Sequence, residues 1–444
     1  MRHAIRQLTA SLPLLLAAAL AFAAGPTGIS AIVHKASVDV HGAPDFNAPT
    51  IATLKQNAAV RIAGQQGLWY QLALDDARSG YVRVNDVRVA HSGAAQPGEN
   101  ARALFTGKAG KGRVSETAGV RGIDESDLRG ASFNTAELAK LESYRATPEA
   151  ALAHARANHW EATQVAYAGE GRATAGNTTQ AGTPGKRSGA GGLLSSIGRG
   201  ALGSLIGVAE KAVPKSEREL AQEELEFGPQ IAGRVLGAAP LLGDAEAQQR
   251  VNLIGRWMAS QTSRPELPWT FGVIDSPEIN AFAAPGGYVL VTRGLYELIG
   301  SDAELAAILG HEINHIVQRD HYEVIRKQEL HSAGQDLVSS NVSTGGGVAG
   351  SLARGYVEKH GAAIMATSLD REAEYRSDEA AQVYLARSGM NPLALYAVLQ
   401  KMAATGSTSS GLAQLYKTHP PLDDRLDRID RRGEGALQAY TRRD

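Results

Sequence analysis

The sequence predicts an α+β protein, in which a small all-β domain precedes a mainly helical domain with a small β-sheet. Residues 28–90 contain short alternating apolar runs separated by turn residues, a pattern typical of strands. From residue 214 onward helical periodicity dominates, and only short β-prone runs interrupt it. A chain of 444 residues is also long enough for about two or three domains.

The composition excludes several classes of function. The formal net charge is −1, so the basic surface typical of nucleic-acid binding is not expected. The sequence contains no cysteine, which excludes disulfides, thiolate zinc ligands, a cysteine nucleophile and a lipidated N-terminal cysteine.

The N-terminus has the pattern of a secretory signal peptide. Arg2 and Arg6 precede an apolar run from Leu12 to Phe22, and Ala21-Phe22-Ala23 offers a small-residue cleavage site. The run is shorter than the roughly 20 apolar residues of a membrane span. We therefore predict a signal peptide over residues 1–24, a periplasmic protein that is not a lipoprotein, and no transmembrane segment in the mature chain.

Residues 28–90 resemble a bacterial SH3 domain and are expected to form a small barrel. Strands are predicted over 31–33, 58–62, 70–74 and 80–84. The resemblance is carried by Gly67-Leu68-Trp69-Tyr70, followed after a polar turn by Gly80-Tyr81-Val82. It implies a module that binds cell wall or a protein. The alternative, equally favoured by the sequence, is that Trp69 and Tyr81 only fill the core of the module.

Residues 91–213 are predicted to be a linker with helical segments and a Gly-rich stretch. Helices are expected to start at Asn134 and at Pro148, the second running to about Ala166. Residues 169–192 are rich in Gly, Ser and Thr, which is typical of a flexible linker. The G-x-G-x-x-G match at 198–203 follows no strand and therefore does not indicate dinucleotide binding.

A helical domain is predicted over residues 214–444. Ser216 and Asp244 have the character of helix N-caps. Two short strands are then expected, at Trp269–Ile274 and Tyr288–Val291, with a turn at Pro285-Gly286-Gly287 before the second.

Residues 301–328 are predicted to form one long buried helix that carries the candidate metal site. Ser301 and Glu304 match a capping box at its start. The helix contains H-E-x-x-H, in which His311 and His315 lie on one face and can bind one cation, most often zinc. Glu312 lies beside them, where it can take a proton from water. The alternative is a pair of core histidines, although burying such groups without partners is costly.

Two residues compete as the third protein ligand. His321 has the spacing of H-E-x-x-H-x-x-G-x-x-H, but Gln318 replaces the required Gly and favours a continuing helix that carries His321 away. Glu374 and Asp378 lie four residues apart on a later helix. Glu374 can offer an oxygen to zinc, and Asp378 can fix a liganding histidine by a hydrogen bond. The alternative for this stretch is a solvated run of charges.

Residues 214–443 resemble the M48 family of zinc metallopeptidases and, within it, the soluble exported BepA-like branch. The resemblance is carried by NAFAAPGGYVLVTRGL at 280–295, SDAELAAILGHEINHIVQRDH at 301–321, EYRSD at 374–378 and THPPLDDRL at 418–426. It implies a zincin-like fold, one Zn²⁺ per chain bound by His311, His315 and Glu374, and Glu312 as catalytic base. Ser377 stands where the family usually has Ala.

The resemblance also implies roles for residues around the cleft. A sheet edge that includes Asn280, Gly287 and Tyr288 is expected to pair with an extended substrate. His419 is expected to contact the substrate or the oxyanion, or to act as a fourth ligand that keeps the enzyme latent. Arg425 is expected to support the site.

The predicted function is that of a zinc-dependent endopeptidase of the cell envelope. Its expected partners are protein or peptide substrates, chiefly unfolded or misassembled envelope proteins. One alternative is a latent protease that acts mainly as a chaperone-like or binding protein, with His419 capping the zinc. Another is hydrolysis of cell-wall amides, since SH3-like modules often accompany such enzymes. The Gly-rich segment Gly334–Lys359 is a candidate lid over the cleft.

Overall fold

The structure, a computed structural model, describes residues 28–74, 78–89, 123–170, 216–328, 348–406 and 410–443. The predicted α+β class is confirmed: an antiparallel sheet precedes a mainly helical region that contains a second, small sheet. Within these residues no helix combines the length and apolarity needed to cross a bilayer. The predicted signal peptide, residues 91–122, the Gly-rich stretch 171–192, the motif at 198–203 and residues 334–347 of the candidate lid lie outside the described part.

The first sheet has seven strands in the order β3-β2-β6-β5-β4-β1-β7. Each described pairing within it is antiparallel. The four predicted strands are confirmed, and three further strands were not predicted. The bounds are β1 Ile29–Val33, β2 Ser37–His41, β3 Thr50–Lys55, β4 Ala59–Gln66, β5 Trp69–Ala73, β6 Ser79–Arg83 and β7 Val87–Val89. The assignment of this sheet as an SH3-like barrel stays a prediction.

Residues 123–170 contain three short helices, each started by a side-chain cap. They are α1 Glu125–Gly130, α2 Thr135–Ser143 and α3 Pro148–Ala157, capped by Asp124, Asn134 and Thr147. The last helix ends at Ala157, earlier than the predicted Ala166, because the chain turns at His159, where φ is 57°.

The second sheet has three strands, β8 Thr270–Ile274, β9 Ala281–Ala284 and β10 Tyr288–Thr292, in the order β8-β10-β9. β10 pairs in parallel with β8 and antiparallel with β9. The predicted turn between β9 and β10 is confirmed, with Gly286 and Gly287 at φ 75° and 99°. These values favour glycine because a side chain clashes with the backbone there.

Two helices precede this sheet, α4 Glu217–Ala238 and α5 Ala245–Ala259. Side chains of α5 form hydrogen bonds with the backbone groups on the outer edge of β8. Asn252 exchanges two hydrogen bonds with the backbone of Phe271 (2.6 and 3.0 Å), and Gln248 does the same with Val273 (2.8 and 2.9 Å). The outer edge of β8 is thereby covered, since its backbone groups already have partners.

The remaining helices surround the one that carries H-E-x-x-H. They are α6 Arg293–Leu298, α7 Asp302–Val317, α8 at 320–328, α9 Val348–Ile364, α10 Arg371–Arg387, α11 Leu393–Ala404, α12 Leu415–Thr418 and α13 Leu422–Arg432. α7 lies at the centre and packs against α5, α10, α11 and strand β9. The side chains from Glu304 to Val317 are all buried, as the apolar pattern predicts.

The three early helices belong to this packed body. α1 packs on α4 and α9, α2 packs on α4, and α3 packs on α5. The segment after α3 is also attached, because Glu170 forms two hydrogen bonds with Arg387 on α10, at 2.8 and 3.0 Å. The linker predicted over residues 91–213 is therefore corrected for residues 123–170, whose apolar side chains supply part of the core.

The first sheet is joined to the helical region through a buried glutamine. Gln400 on α11 donates to the carbonyls of Val84 and Val87 (2.7 and 2.9 Å) and accepts from the amide of Val89 (2.9 Å). Three backbone groups of the sheet therefore depend on one side chain of the helical region.

Charged side chains of the first sheet reinforce this junction by contacts with α13 and with the segment that follows it. Arg88 on β7 donates to Asp427 at 3.0 Å and to Asp430 at 3.1 Å. Arg83 on β6 donates to the carbonyl of Thr441 at 2.7 Å and stacks over Trp69, which is 4% exposed. Trp69 is thus buried beneath an arginine of its own sheet.

Candidate metal centre and active site

Helix α7 presents two histidines to one point. Its N-cap is Ser301, whose hydroxyl accepts from the amide of Glu304 at 3.2 Å. His311 and His315 are 3% and 2% exposed, and their Nε2 atoms lie 3.2 Å apart. One turn of helix therefore brings both ring nitrogens together, as the spacing predicts.

Helix α10 supplies a carboxylate to the same point. Oε2 of Glu374 lies 3.5 Å from Nε2 of His311, and Oε1 lies 3.7 Å from Nε2 of His315. Burial by itself raises the pKa of Glu374, but the surrounding imidazoles more than offset this and hold the pKa well below its usual range. The carboxylate is therefore ionised even though it is buried.

His419, the residue that follows α12, completes the cluster. Its Nε2 lies 3.5 Å from Oε2 of Glu374. The ligand atoms of His311, His315, Glu374 and His419 all lie within 4.8 Å of one another. Burial lowers the pKa of His419 to about 3, so its ring is neutral at neutral pH.

The cluster has the features that a zinc ion requires. Imidazole nitrogens and a carboxylate oxygen are ligands that zinc accepts. Oε2 of Glu374 is buried and has no hydrogen-bond partner among the described residues. A buried carboxylate oxygen without a partner is destabilising, and a cation at this point would satisfy it. His311, His315 and Glu374 would hold the ion, with His419 in reach as a fourth ligand.

Glu312 lies beside the cluster and faces a small cavity. It is 6% exposed, and burial raises the pKa of its carboxyl above the ordinary value. The cavity has about 10 Å³ of free volume, close to what one water molecule needs. Its lining comes from β9, from α7 and α8, from the segment between α9 and α10, from α10, and from the end of α12: Ala281, Phe282, Glu312, His315, His321, Met365, Thr367, Leu369, Glu374, Thr418 and His419.

The first histidine is held by a carboxylate that is itself held by an arginine. Oδ1 of Asp378 lies 3.0 Å from Nδ1 of His311. Arg425 on α13 donates to both carboxylate oxygens of Asp378, at 2.9 and 2.5 Å. Burial opposes ionisation of Asp378, but Arg425 lowers its pKa to about 2. The structure thus places Asp378 and Arg425 beside His311, and their roles at the site stay predictions.

The second histidine has a corresponding pair that the sequence analysis missed. Oδ2 of Asp320 lies 2.9 Å from Nδ1 of His315, and Arg376 donates to Oδ1 of Asp320 at 3.0 Å. The hydroxyl of Ser377, at the position where the family usually has Ala, lies 3.2 Å from the same Nδ1. The available signal in the sequence was that Asp320 follows His315 and Arg376 follows Glu374 within a few residues.

The predicted single helix over Ser301–Gln328 is wrong, and the break explains the position of Asp320. α7 ends at Val317, Arg319 takes φ 61°, and a new helix starts at 320. Arg319 is held in this conformation by Glu224 and Glu217, at 2.9 and 2.8 Å. The capping box is also incomplete, because the carboxylate of Glu304 accepts from the amide of Gly300 (2.7 Å) rather than from that of Ser301.

The expected substrate strand is corrected in part. β10 is the central strand and is paired on both sides, so Gly287 and Tyr288 present no free edge to a peptide. Tyr288 instead contacts Glu142, at 2.5 Å. β9 is an edge strand of this sheet, and its residues Ala281 and Phe282 line the cavity. Asn280 precedes β9 and is 1% exposed, and its Oδ1 has no hydrogen-bond partner among the described residues.

Comparison with known proteins identifies the domain that carries this site. Residues 245–433, which include the four clustered residues and their carboxylate and arginine partners, match Peptidase family M48. This part of the chain is therefore similar to the M48 peptidases.

Several curated M48-like proteases are similar to this part of the chain. The beta-barrel assembly-enhancing protease of Escherichia coli is 29% identical over 215 residues, 46% of this chain and 42% of that protein. The mitochondrial metalloendopeptidase OMA1 of Arabidopsis thaliana is 28% identical over 154 residues, 35% of this chain and 29% of that protein. A protease HtpX homolog of Syntrophobacter fumaroxidans is 26% identical over 243 residues, 46% of this chain and 82% of that protein. The chain therefore spans less than half the length of the first two relatives.

Proposed function

We propose that this protein is a zinc-dependent endopeptidase of the cell envelope that hydrolyses peptide bonds of unfolded or misassembled proteins. The observation that carries the proposal is the meeting of two imidazoles and the Glu374 carboxylate within 4.8 Å, with Glu312 beside them in the same cavity. This donor set, together with a carboxylate base, is the usual apparatus of metal-assisted peptide hydrolysis.

The residues around the cluster have distinct roles in the proposed reaction. When bound, zinc lowers the pKa of water to about 7 and polarises the scissile carbonyl. Glu312 accepts the proton of the attacking water and then donates it to the leaving amine. Burial raises the pKa of Glu312, which makes it a stronger base than an exposed carboxylate and a competent acid in the second step. Asp378 and Asp320 keep the two imidazoles oriented.

The edge strand β9 is the proposed binding element for the substrate. It packs against α7, and its first residues line the cavity next to Glu312. An extended peptide that pairs with a free sheet edge gains backbone hydrogen bonds that do not depend on its sequence. This mode of binding suits unfolded segments of many different proteins.

The location and the substrates are inferred from two further observations. The N-terminal pattern predicts export to the periplasm. A similar protein bears the name beta-barrel assembly-enhancing protease, which associates its activity with the assembly of barrel proteins. A quality-control role toward envelope proteins fits both.

Two variants of the full-length mature protein test the proposal. Purified protein is expected to contain one zinc per chain by elemental analysis, and Glu374→Ala should lose it because one of the three ligands is removed. Glu312→Gln should keep the zinc but lose cleavage of unfolded casein by at least about 100-fold, the usual contribution of a general base. If Glu312→Gln cleaves casein as fast as the wild type, the proposed mechanism is wrong.

A latent state is a second candidate, favoured by the position of His419. Its neutral ring lies 3.5 Å from Oε2 of Glu374, and only about 10 Å³ of free volume is left beside Glu312. In such a state the protein acts mainly as a chaperone-like or binding protein. His419→Ala should then cleave casein faster than the wild type. A slower His419→Ala that keeps its zinc would instead assign His419 to the substrate or the oxyanion.

A further inference from the structure

His321 is a buried polar side chain at the site that the proposed mechanism leaves without a role. It lies near the start of α8, is 8% exposed, and lines the cavity together with Glu312 and His315. Its ring is edge-on to that of His315, with 5.8 Å between the ring centroids. It is not one of the four clustered ligands.

The environment of His321 is unfavourable for a residue with only a structural role. Its Nδ1 is fully buried and has no hydrogen-bond partner among the described residues. A neutral imidazole offers one donor and one acceptor, so the ring can bind either kind of polar group. A buried group with an unused hydrogen-bonding atom destabilises the fold, and its presence in a native structure calls for an explanation.

His321 does not orient the metal ligands. Nδ1 of His311 is already paired with Asp378, and Nδ1 of His315 is paired with Asp320. Nδ1 of His321, which has no partner among the described residues, is therefore left for a ligand at the cavity. Ala281 and Phe282, which line this cavity, belong to β9, the outer strand of the sheet as the structure describes it.

We propose that His321 is a substrate-contacting residue whose imidazole forms a hydrogen bond with a backbone amide of an extended peptide bound along β9. A peptide is the ligand that fits, because each of its residues offers one donor and one acceptor to match a neutral imidazole. This inference rests on the proposed peptidase function.

The experiment compares His321→Leu and His321→Asn in the zinc-loaded full chain. His321→Leu fills a similar volume without a polar atom, so kcat/KM for an unstructured peptide should fall about 10-fold. Its zinc content should not change, and its Tm should rise by roughly 2–4 °C because the unused polar atom is gone. His321→Asn places an amide near the position of Nδ1 and should recover most of the activity. His360→Leu on α9, away from the cavity lining, is the matched control and should change none of these quantities.

A binding measurement separates substrate contact from chemistry. In the Glu312→Gln background, which binds without cleaving, adding His321→Leu should weaken the affinity for a fluorescent peptide by about 10-fold. An unchanged kcat/KM and affinity for His321→Leu would overturn the inference, as would loss of zinc. If His321→Leu does not fold, failure of His321→Asn to approach wild-type activity overturns it. Absence of cleavage by the wild type would overturn the proposed function, and this inference with it.

Discussion

Each histidine of the H-E-x-x-H motif is held by a carboxylate, and each carboxylate by an arginine. His311, Asp378 and Arg425 form one series, and His315, Asp320 and Arg376 form the other. A buried carboxylate beside an imidazole would be costly without a cation, and each arginine removes that cost. The rings are therefore oriented by the protein itself, before any metal is bound.

Asp320→Asn tests the newly found series. The amide keeps the shape of the side chain but loses the charge that fixes the ring of His315, so zinc affinity should fall about 10- to 100-fold. Competition with a chromogenic chelator measures this directly. Asp39→Asn, on strand β2 where Asp39 is exposed and bonded to Thr53, is the control and should bind zinc like the wild type. Equal affinity of both variants would remove Asp320 from the site.

The sequence analysis predicted the clustered side chains but not all of their partners, for a physical reason. His311 and His315 share a face because of helix geometry alone. Asp378 was predicted from its spacing from Glu374, and Arg425 from the family resemblance. Asp320 reaches His315 only because the helix breaks at Arg319. That break is stabilised by Glu224, a residue 95 positions earlier, which no local pattern reveals.

At the scale of elements, the two outer strands of the small sheet have different surroundings. β8 is covered by the side chains of Asn252 and Gln248, whereas β9 lies beside the cavity. Local propensity indicates β8 and β10 through their β-branched and aromatic residues. The strand Ala281–Ala284 has three alanines and a weak signal of its own, so a strand at a sheet edge here was expected only from the family resemblance.

The loop that leads into β9 contains a carboxyl group that makes stability depend on pH. Glu278 is 4% exposed, and burial raises its pKa from an ordinary 4.5 to about 7. Below pH 4.5 the group is protonated in both folded and unfolded chains. As the pH rises toward 7 the unfolded chain ionises first, so the contribution of this group to stability is lost.

Glu278→Gln should remove this dependence. Between pH 5 and pH 8, the wild type should lose on the order of 2 kcal/mol of unfolding free energy relative to the variant. Urea unfolding of both proteins at the two pH values measures this loss. The other titrating groups contribute equally to both proteins, so their contributions cancel when the two are compared. A parallel pH dependence of the two proteins would show that Glu278 ionises normally in the folded state.

At the scale of the whole molecule, the first sheet is part of the body that holds the active site. α13 carries Arg425 toward Asp378 and carries Asp427 and Asp430 toward Arg88 of the first sheet. One short helix thus contacts both the candidate active site and the first sheet. The sequence predicted each domain class but not this docking, because Gln400 and Val89 are 311 positions apart.

Gln400→Leu should weaken this docking. The substitution leaves two carbonyls and one amide of the sheet without partners, at a cost of about 1–3 kcal/mol for each group that water cannot reach. The thermal unfolding temperature of the helical region should fall together with that of the sheet. Gln56→Leu, at an exposed position hydrogen-bonded to the carbonyl of His34, is the control. A loosely tethered module would instead leave the helical region unaffected.

The position of Arg425 in the chain has a consequence for biosynthesis. Arg425 is translated 114 residues after His311. A growing polypeptide therefore contains both histidines and Glu312 well before the arginine that holds Asp378. We expect hydrolysis to begin only after α13 has emerged and docked. Precursors still attached to the ribosome would therefore lack the complete arrangement that the proposed hydrolysis requires.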